Sequence, residues 1–210
     1  MAQEIERVLE EEPLAPQPST FSSCHQPSTS FLCHSEGAKA TEESLKIAYK
    51  LKELYPEEVI EINRFRGQVS VIVKSTKIKE ILAYLKEQQG FNHLQDLCGV
   101  DYAPEKPRFE VVYNLYSIWR RLHIRVRAKV EEENAEIDSV TDLWPGANWH
   151  ERECFDMFGI RFIGHPDLRR ILMPEDWNGY PLRKDYPLKG KELWIGFREI
   201  IESPSGEEKK

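Results

Sequence analysis

The amino-acid sequence predicts an α+β fold: a mostly antiparallel or mixed sheet with helices on one face, followed by an extended helix-and-loop segment toward the C-terminus. Two observations support this prediction. Strands that alternate apolar and polar residues follow one another across short turns, which is typical of hairpins. Two stretches with an apolar stripe at helical spacing flank these strands, and such helices bury their stripe against a sheet.

Composition and charge limit the function classes. The 210 residues fit one domain with extensions, and 40% hydrophobic residues suffice for a core. A formal net charge of −7 disfavours a nucleic-acid-binding protein. There is no run of about 18 apolar residues to span a membrane. The acidic start MAQEIERVLEEEP lacks the apolar region of a secretory signal, so we expect a cytosolic or equivalent compartment with reduced cysteines.

The composition divides the chain into four parts. Residues 1–40 are rich in Pro, Ser and Thr and are interpreted as a flexible extension. An α+β domain follows over 41–146, then a polar and aromatic segment over 147–190, and a tail over 191–210. We refer to residues 147–190 as the docking segment, for reasons given below.

The N-terminal extension contains two Cys-His pairs, Cys24-His25 and Cys33-His34. They represent either a metal site or a chance arrangement. The closely spaced cysteine pair of zinc sites is missing, which favours chance.

Periodicity and turn signals place the elements of the α+β domain. Its clearest features are an apolar helical stripe at Ile78, Ile81, Leu82 and Leu85, and a last strand in which apolar and basic residues alternate. The predicted elements are a helix capped by Thr41 and ending near Pro56, strands over 59–63 and 68–74, a helix capped by Thr76 and ending at Gly90, and strands over 96–102, 108–116 and 122–130.

The last of these strands presents His123, Arg125, Arg127 and Lys129 on one side and should pair with its predecessor as a hairpin. The basic face would either bind an acidic partner or be solvated, and solvated faces are commoner.

The docking segment opens with a short charged helix. Asn148 and Glu151 have the spacing of a capping box, and Gly159 is suited to a left-handed C-cap. Arg152 is four residues before Asp156, and His150 is three before Glu153, so each pair is predicted to interact on the helix surface. Carboxylates on one helix indicate acid/base or metal chemistry, or simply internal pairing. The neighbouring arginines favour pairing.

The loop after this helix contains His165, Asp167 and two consecutive arginines, Arg169 and Arg170. The arginines must point in different directions, so one is expected to lock onto Glu151 or Glu153 while the other reaches a partner. His165 lacks a second histidine at ligand spacing and a nearby nucleophile, which favours a role in ordering the loop. An Asn178-Gly179 turn then leads to Arg183, Lys184 and Asp185.

Known cofactor motifs are missing from the sequence. It contains no G-x-G-x-x-G loop, no P-loop, no H-E-x-x-H and no familiar Fe–S cysteine spacing. A stand-alone enzyme using Glu153, Asp156 and His165 is therefore disfavoured, as is a nucleic-acid module using the basic strand face. The residues alone indicate a protein whose C-terminal segment docks onto something.

The docking segment resembles one known family, the thirty-kilodalton subunit of respiratory complex I, also known as the C subunit of NADH:quinone oxidoreductase. The resemblance extends over roughly residues 46–188, is most specific in the last fifty, and does not include residues 13–40. The matching motifs are Glu151-Arg152-Glu153, Asp156-Met157-Phe158, GHPDLRRIL with His165 and Arg169, PLRKDYPL, and, upstream, VTDLWPGANWHERE and LCGVDY.

The resemblance implies a cofactor-free structural subunit in the peripheral arm of a proton-pumping complex that transfers electrons from NADH to quinone. The isolated chain would be non-catalytic, with FMN and Fe–S clusters held by partner subunits. Its main partner would be the large, hydrogenase-like subunit (the forty-nine-kilodalton type), on the cytoplasmic side of the cell membrane. The alternative is the equivalent subunit of a related membrane-bound hydrogenase or of a ferredoxin- or F420-dependent dehydrogenase.

No catalytic, cofactor-binding or metal-binding residue is predicted in this chain. The residues predicted to form the docking surface are Glu151, Arg152, Glu153, Asp156, His165, Asp167, Arg169, Arg170, Arg183, Lys184 and Asp185.

Overall fold

The computed structural model describes residues 31–187, with side chains from residue 39 onward. The chain divides into two units, Met1–Leu32 and Cys33–Lys210, and the features below belong to the second, apart from the first two residues of the first helix. The elements are α1 (Phe31–Leu54), β1 (Val59–Phe65), β2 (Gln68–Lys74), α2 (Ile78–Glu87), β3 (His93–Asp101), β4 (Phe109–Ser117), β5 (Leu122–Val130), β6 (Glu136–Asp138), α3 (Ala147–Phe158) and β7 (Arg161–Ile163).

The main sheet has five strands in the order β1-β2-β5-β4-β3. The predicted hairpin is present, with β4 and β5 paired antiparallel along their whole length. The β1-β2 and β3-β4 pairs are also antiparallel, whereas β2 and β5 run parallel from Ser70↔Arg125 to Lys74↔Lys129. The predicted mixed α+β architecture is therefore confirmed.

The core lies on one face of this sheet. The stripe of α2 is fully buried, as predicted, and it joins α1, α3 and alternate residues of β2, β4 and β5 in one apolar cluster. The opposite face is polar and internally paired. There Glu110 is fully buried between Arg127, at 2.6 Å, and Lys129, at 2.8 Å. Two of the three cations on this face of β5 are thus paired within the sheet, around a single carboxylate.

Two predicted helix caps are wrong. Helix α1 begins at Phe31, so Thr41 lies inside it, and its hydroxyl donates a hydrogen bond to the carbonyl of Gly67 at 2.6 Å. Thr76 lies in a 3-10 turn before α2, and its hydroxyl donates to the carboxylate of Glu58 at 2.6 Å. In both cases a tertiary acceptor engages the hydroxyl that the local pattern assigns to a cap.

Cys33 and His34 fall within α1, where their side chains are not described, and Cys24 and His25 lie outside the described residues.

A second, two-stranded parallel sheet was not predicted. It pairs β6 with β7 from Glu136↔Arg161 to Asp138↔Ile163. Strands of three residues are too short to show an alternating pattern, so periodicity cannot detect them.

Helix α3 packs against β3 at a glycine. A Cβ atom on Gly99 would lie 2.7 Å from Cδ2 of the Phe158 ring and 3.0 Å from its Cε2. The missing side chain therefore allows the end of α3 to approach the sheet closely.

Replacing Gly99 with alanine should displace Phe158 and lower the free energy of unfolding by about 1–3 kcal/mol, as overpacking does. Gly146→Ala is the matched control, since nothing lies within 4 Å of its Cβ position. Urea denaturation of both variants measures the effect. Equal midpoints for the two variants would show that this contact does not set the helix position.

Candidate functional site

The helix of the docking segment begins differently from the prediction. Gly146 is the N-cap residue of α3 and no side chain caps the helix, so the capping box of Asn148 and Glu151 is wrong. The predicted C-cap is confirmed, because Gly159 is left-handed with φ 75°. A Cβ at Gly159 would also lie 2.6 Å from Arg183 and Tyr180. This glycine thus serves both the turn and the close approach of the following loop.

A buried carboxylate organises that loop. Asp156 is fully buried on α3, and its Oδ2 accepts hydrogen bonds from the backbone N–H groups of Ile171, Leu172 and Met173 at 3.1, 2.8 and 2.8 Å. Its Oδ1 accepts a hydrogen bond from Nη1 of Arg170 at 2.5 Å. The predicted pair between Arg152 and Asp156 is therefore wrong.

These hydrogen bonds keep Asp156 ionised. Burial by itself would raise the pKa of the carboxyl group, but the three backbone donors and Arg170 outweigh it and leave the pKa below its ordinary value. A carboxylate so fully engaged by backbone and guanidinium donors has little accepting capacity left for a metal or for acid/base chemistry.

Arg170 extends the same network. Its Nη2 donates to the carbonyls of Trp177 and Gly179, both at 3.1 Å, and its guanidinium lies 5.4 Å from the ring centre of Tyr180. The Arg170 side chain, which is only 14% exposed, thus connects the two ends of the loop from 170 to 179.

The neighbouring Arg169 points the other way. Its side chain is 64% exposed and pairs with Asp167 at 2.7 Å. The prediction that the two arginines diverge is confirmed, but the inward one engages Asp156 rather than Glu151 or Glu153.

Two further side chains fasten the loop to α3. Arg152 donates to the carbonyls of Arg169 and Arg170 at 3.1 and 3.0 Å. His165 contacts the carbonyl of Asn148 through Nε2 at 3.3 Å, while its Nδ1 accepts the N–H of Asp167 at 3.0 Å. The histidine therefore orders the loop, as expected.

The remaining predicted pair on α3 is not formed. His150 approaches Asp96 of β3 at 3.6 Å instead of Glu153. Glu153 is exposed and forms no ion pair with another residue of the 31–187 range.

A second buried ion pair, which the sequence did not reveal, holds the end of the docking segment. Nε and Nη2 of Arg108 bind Asp101 at 3.0 and 2.9 Å, and the two side chains are only 8% and 2% exposed. The Asp101 carboxylate also accepts the backbone N–H of Lys184 at 2.9 Å, and Arg108 reaches Asp185 at 2.8 Å. These hydrogen bonds place the pKa of Asp101 well below its usual range despite its burial. Asp101 lies in the LCGVDY motif, but neither that motif nor periodicity indicates the pairing, since the partners in the docking segment are 77 or more positions away.

Arg183 completes this attachment. Its Nε donates to the carbonyl of Phe158 at 2.6 Å, and its guanidinium lies 4.4 Å from the ring centre of Tyr180 and 5.0 Å from that of Phe109. Lys184 in turn donates to the carbonyl of Ala103 at 3.1 Å.

Glu151 is the one acid of α3 with a strongly raised pKa. It is fully buried and accepts hydrogen bonds from the hydroxyl of Ser139 and the N–H of Val140, both at 2.7 Å. Burial raises the pKa of its carboxyl group to about 7, against the opposing effect of these two donors.

The outer face of the docking segment remains open. Trp149 and Leu172 are 61% and 60% exposed, alongside exposed Glu153 and Arg169.

In residues 31–187, no three His, Cys, Asp or Glu side chains are grouped to hold a metal ion. No helix in that range is long and apolar enough to cross a bilayer.

Comparisons with known proteins identify relatives. The family described as "Respiratory-chain NADH dehydrogenase, 30 Kd subunit" matches residues 71–192. The chain is 49% identical over 152 residues to the NADH-quinone oxidoreductase C subunit of Roseiflexus sp. (strain RS-1), covering 71% of this chain and 87% of that protein. It is 46% identical over 151 residues to the subunit of the same name from Geobacter sulfurreducens, covering 71% and 93%.

Two solved structures share the fold. A trypsin-resistant fragment (1-134) of Nqo5 is 39% identical with a TM-score of 0.52, and the match covers 61% of this chain and 99% of that one. A chain of the membrane-bound sulfane sulfur reductase, an archaeal respiratory membrane complex, has a TM-score of 0.60 at 22% identity, covering 80% and 96%.

Arg170→Met should destabilise the protein by about 3–5 kcal/mol, because it leaves the buried Asp156 carboxylate without its cation. Arg169→Met is the matched control and should change stability little, since that side chain is exposed. Hydrogen exchange should show loss of protection at the amides of residues 171–173 in the first variant alone. Equal protection in both variants would contradict the role assigned to Arg170.

Glu151 should make stability depend on pH near neutrality. The folded state binds its proton more tightly than the unfolded chain between the ordinary pKa of 4.5 and about 7, so stability falls as pH rises through this window. The contribution is up to about 3 kcal/mol by the pKa difference. Denaturation of Glu151→Gln across pH 4.5–8 should lack this slope, whereas Glu153→Gln, which removes an exposed acid on the same helix, should retain it. A wild-type slope in Glu151→Gln would assign the effect elsewhere.

Proposed function

Because the chain belongs to the 30 Kd subunit family of the respiratory-chain NADH dehydrogenase, we propose that it acts as a structural subunit in the peripheral arm of a proton-pumping NADH:quinone oxidoreductase. In this role it supports electron transfer from NADH to quinone without taking part in the chemistry. The docking segment supplies the contact surface, and the isolated chain is non-catalytic.

The observation that carries this proposal is that charged side chains of the docking segment hold its backbone in one conformation. Asp156, Arg170 and Arg183 hold the docking segment in place through hydrogen bonds to backbone groups. They leave a preorganised outer face with an exposed Trp149, and aromatic residues on a rigid surface are effective interface anchors.

The partners follow from the same assignment. We infer that FMN and the Fe–S clusters belong to neighbouring subunits, and that the docking segment binds the large, hydrogenase-like subunit. The chain would then lie on the cytoplasmic side of the cell membrane, attached to it through the complex.

A second candidate is the equivalent subunit of a related membrane-bound hydrogenase or of a ferredoxin- or F420-dependent dehydrogenase. The fold likeness to a chain of a sulfane sulfur reductase complex supports it, since that complex is named for a different reaction. The two candidates differ in electron input. Mass spectrometry of the subunits that co-purify from solubilised membranes distinguishes them, with NADH-oxidising flavin subunits supporting the first.

Arg169→Ala and Glu153→Ala should each lower the yield of assembled complex on a native gel while leaving the melting temperature of the isolated chain nearly unchanged. Both side chains are exposed and contribute little to the fold. Lys79→Ala is the control, because Lys79 is likewise a surface cation in an ion pair, with Asp142, but lies outside the docking segment. Full assembly of both docking-segment variants would count against the proposed contact surface.

A further inference from the structure

A second surface lies at one end of the main sheet, outside the docking segment. Strands β2 and β5 are parallel neighbours, so the turns that precede them come side by side. One is the β1–β2 turn at Phe65 to Gly67, and the other is the β4–β5 turn at Ile118 to Arg121. We call the tip surface the set formed by Phe65, Arg66, Ile118, Trp119, Arg120 and Arg121.

The tip surface exposes large apolar side chains. Trp119 is 87% exposed and Phe65 is 70% exposed, the two highest values for large hydrophobic residues in the described part of the chain, and Ile118 is 52% exposed. Grouped apolar side chains at this exposure mark interaction sites. Trp, Phe and Arg are also the residue types enriched in protein interfaces.

The backbone of both turns is strained in a way that their sequence does not relieve. Among residues 31–187, Arg66 and Arg121 are the two non-glycine residues with positive φ, at 48° and 54°. This conformation disfavours side chains other than Gly, Asn and Asp, at a cost of roughly 1–2 kcal/mol per residue. Glycine or asparagine would form these turns with less backbone strain, so arginine at both positions points to a role for the side chains themselves.

A cavity with both polar and apolar lining residues opens next to these turns. It has a volume of about 610 Å³ and is lined from α1 by Thr41 and Ser44, from the start of β2 by Gln68, and from β5 and the turn before it by Arg121, His123 and Arg125. Asp96, which faces His150, is the one carboxylate in its wall. The Thr41 hydroxyl already donates to the carbonyl of Gly67, and His123 and Arg125 hydrogen-bond to Gln95 and Asn114. Arg121 is therefore the guanidinium in this wall that a carboxylate ligand would engage.

Charge points to an acidic occupant. Arg66 and Arg121 form no ion pair with any residue from 31 to 187. Arg120 pairs with Glu43 at 3.3 Å between exposed groups, and its Nη1 also donates to the carbonyl of Gln89 at 3.1 Å. This basic patch sits on a chain whose net charge is −7. A bilayer surface needs only basic charge and apolar tips, whereas a cavity with the Arg121 guanidinium in its wall also accommodates a single acidic side chain.

We propose that the tip surface and its cavity bind an acidic, extended peptide segment of another subunit in the same complex, with one carboxylate side chain in the cavity. The inference rests on the proposed function only in that the partner is a fellow subunit. It adds a second contact, formed by residues outside the docking segment, whose partner is selected by charge.

The test places p-benzoyl-phenylalanine at Trp119 of the full chain, within the complex purified from membranes. Irradiation should cross-link the chain to an acidic segment of another subunit, identified by mass spectrometry. The same substitution at Leu54, which is 51% exposed but outside the tip surface, should not yield that product.

A double variant separates binding from folding. Arg66→Asn with Arg121→Asn should reduce the cross-link at least fivefold while leaving the melting temperature of the chain equal or higher, because asparagine tolerates the left-handed conformation better. Lys50→Asn with Lys52→Asn, the same charge change on the exposed face of α1, should leave the cross-link intact.

Three results would overturn the inference. They are a cross-link to lipid alone, no inter-subunit product from a complex that contains the chain, and an undiminished product from the Arg66 and Arg121 variant. Each leaves the proposed function standing, since the chain is still in the complex. A chain that co-purifies with no other subunit would overturn both.

Discussion

The structure of the docking segment depends on one buried carboxylate. Asp156 turns a helix end into an acceptor for three consecutive backbone N–H groups and one guanidinium, all supplied by residues 170–173. The loop has little regular secondary structure, and these hydrogen bonds to Asp156 fix its conformation. Arg170 then carries the constraint onward to Trp177 and Gly179. Leu168 and Met173 add apolar contacts with the core at either end of this network.

The second ion pair explains how that loop is joined to the sheet. Asp101 ends β3 and Arg108 precedes β4, so their pairing closes the connection between two neighbouring strands and simultaneously receives Lys184 and Asp185. Buried charges of this kind add little net stability, but breaking one partner is costly, so they specify one arrangement. Several of the charges that resemble an active site in the sequence are therefore used to fix the geometry of the docking segment.

Much of the fold followed from local pattern. The stripe of α2, the alternation of β5 and the Gly159 C-cap each depend on residues within a few positions, and each is found where expected. Side-chain partners on α3 were predicted by the same local rules and were wrong, because Asp156 and Glu151 are engaged by residues 11–17 positions away. Asp101 and Arg108 were missed because their role depends on still more distant residues, and the start of α1 at Phe31 was hidden by a Pro- and Ser-rich composition.

The sequence by itself determined the fold class, the strands and helices of the core, and the family, because hydrophobic periodicity and contiguous motifs are properties of neighbouring residues. Only the tertiary structure decided which charged side chains are buried in internal ion pairs and which are exposed at the surface. It turned Arg170 inward and Arg169 outward from adjacent positions, and it brought Phe65 and Trp119 to the same end of the sheet through the parallel pairing of β2 and β5. Ion pairing and strand order depend on residues distant in the chain, which one sequence does not reveal.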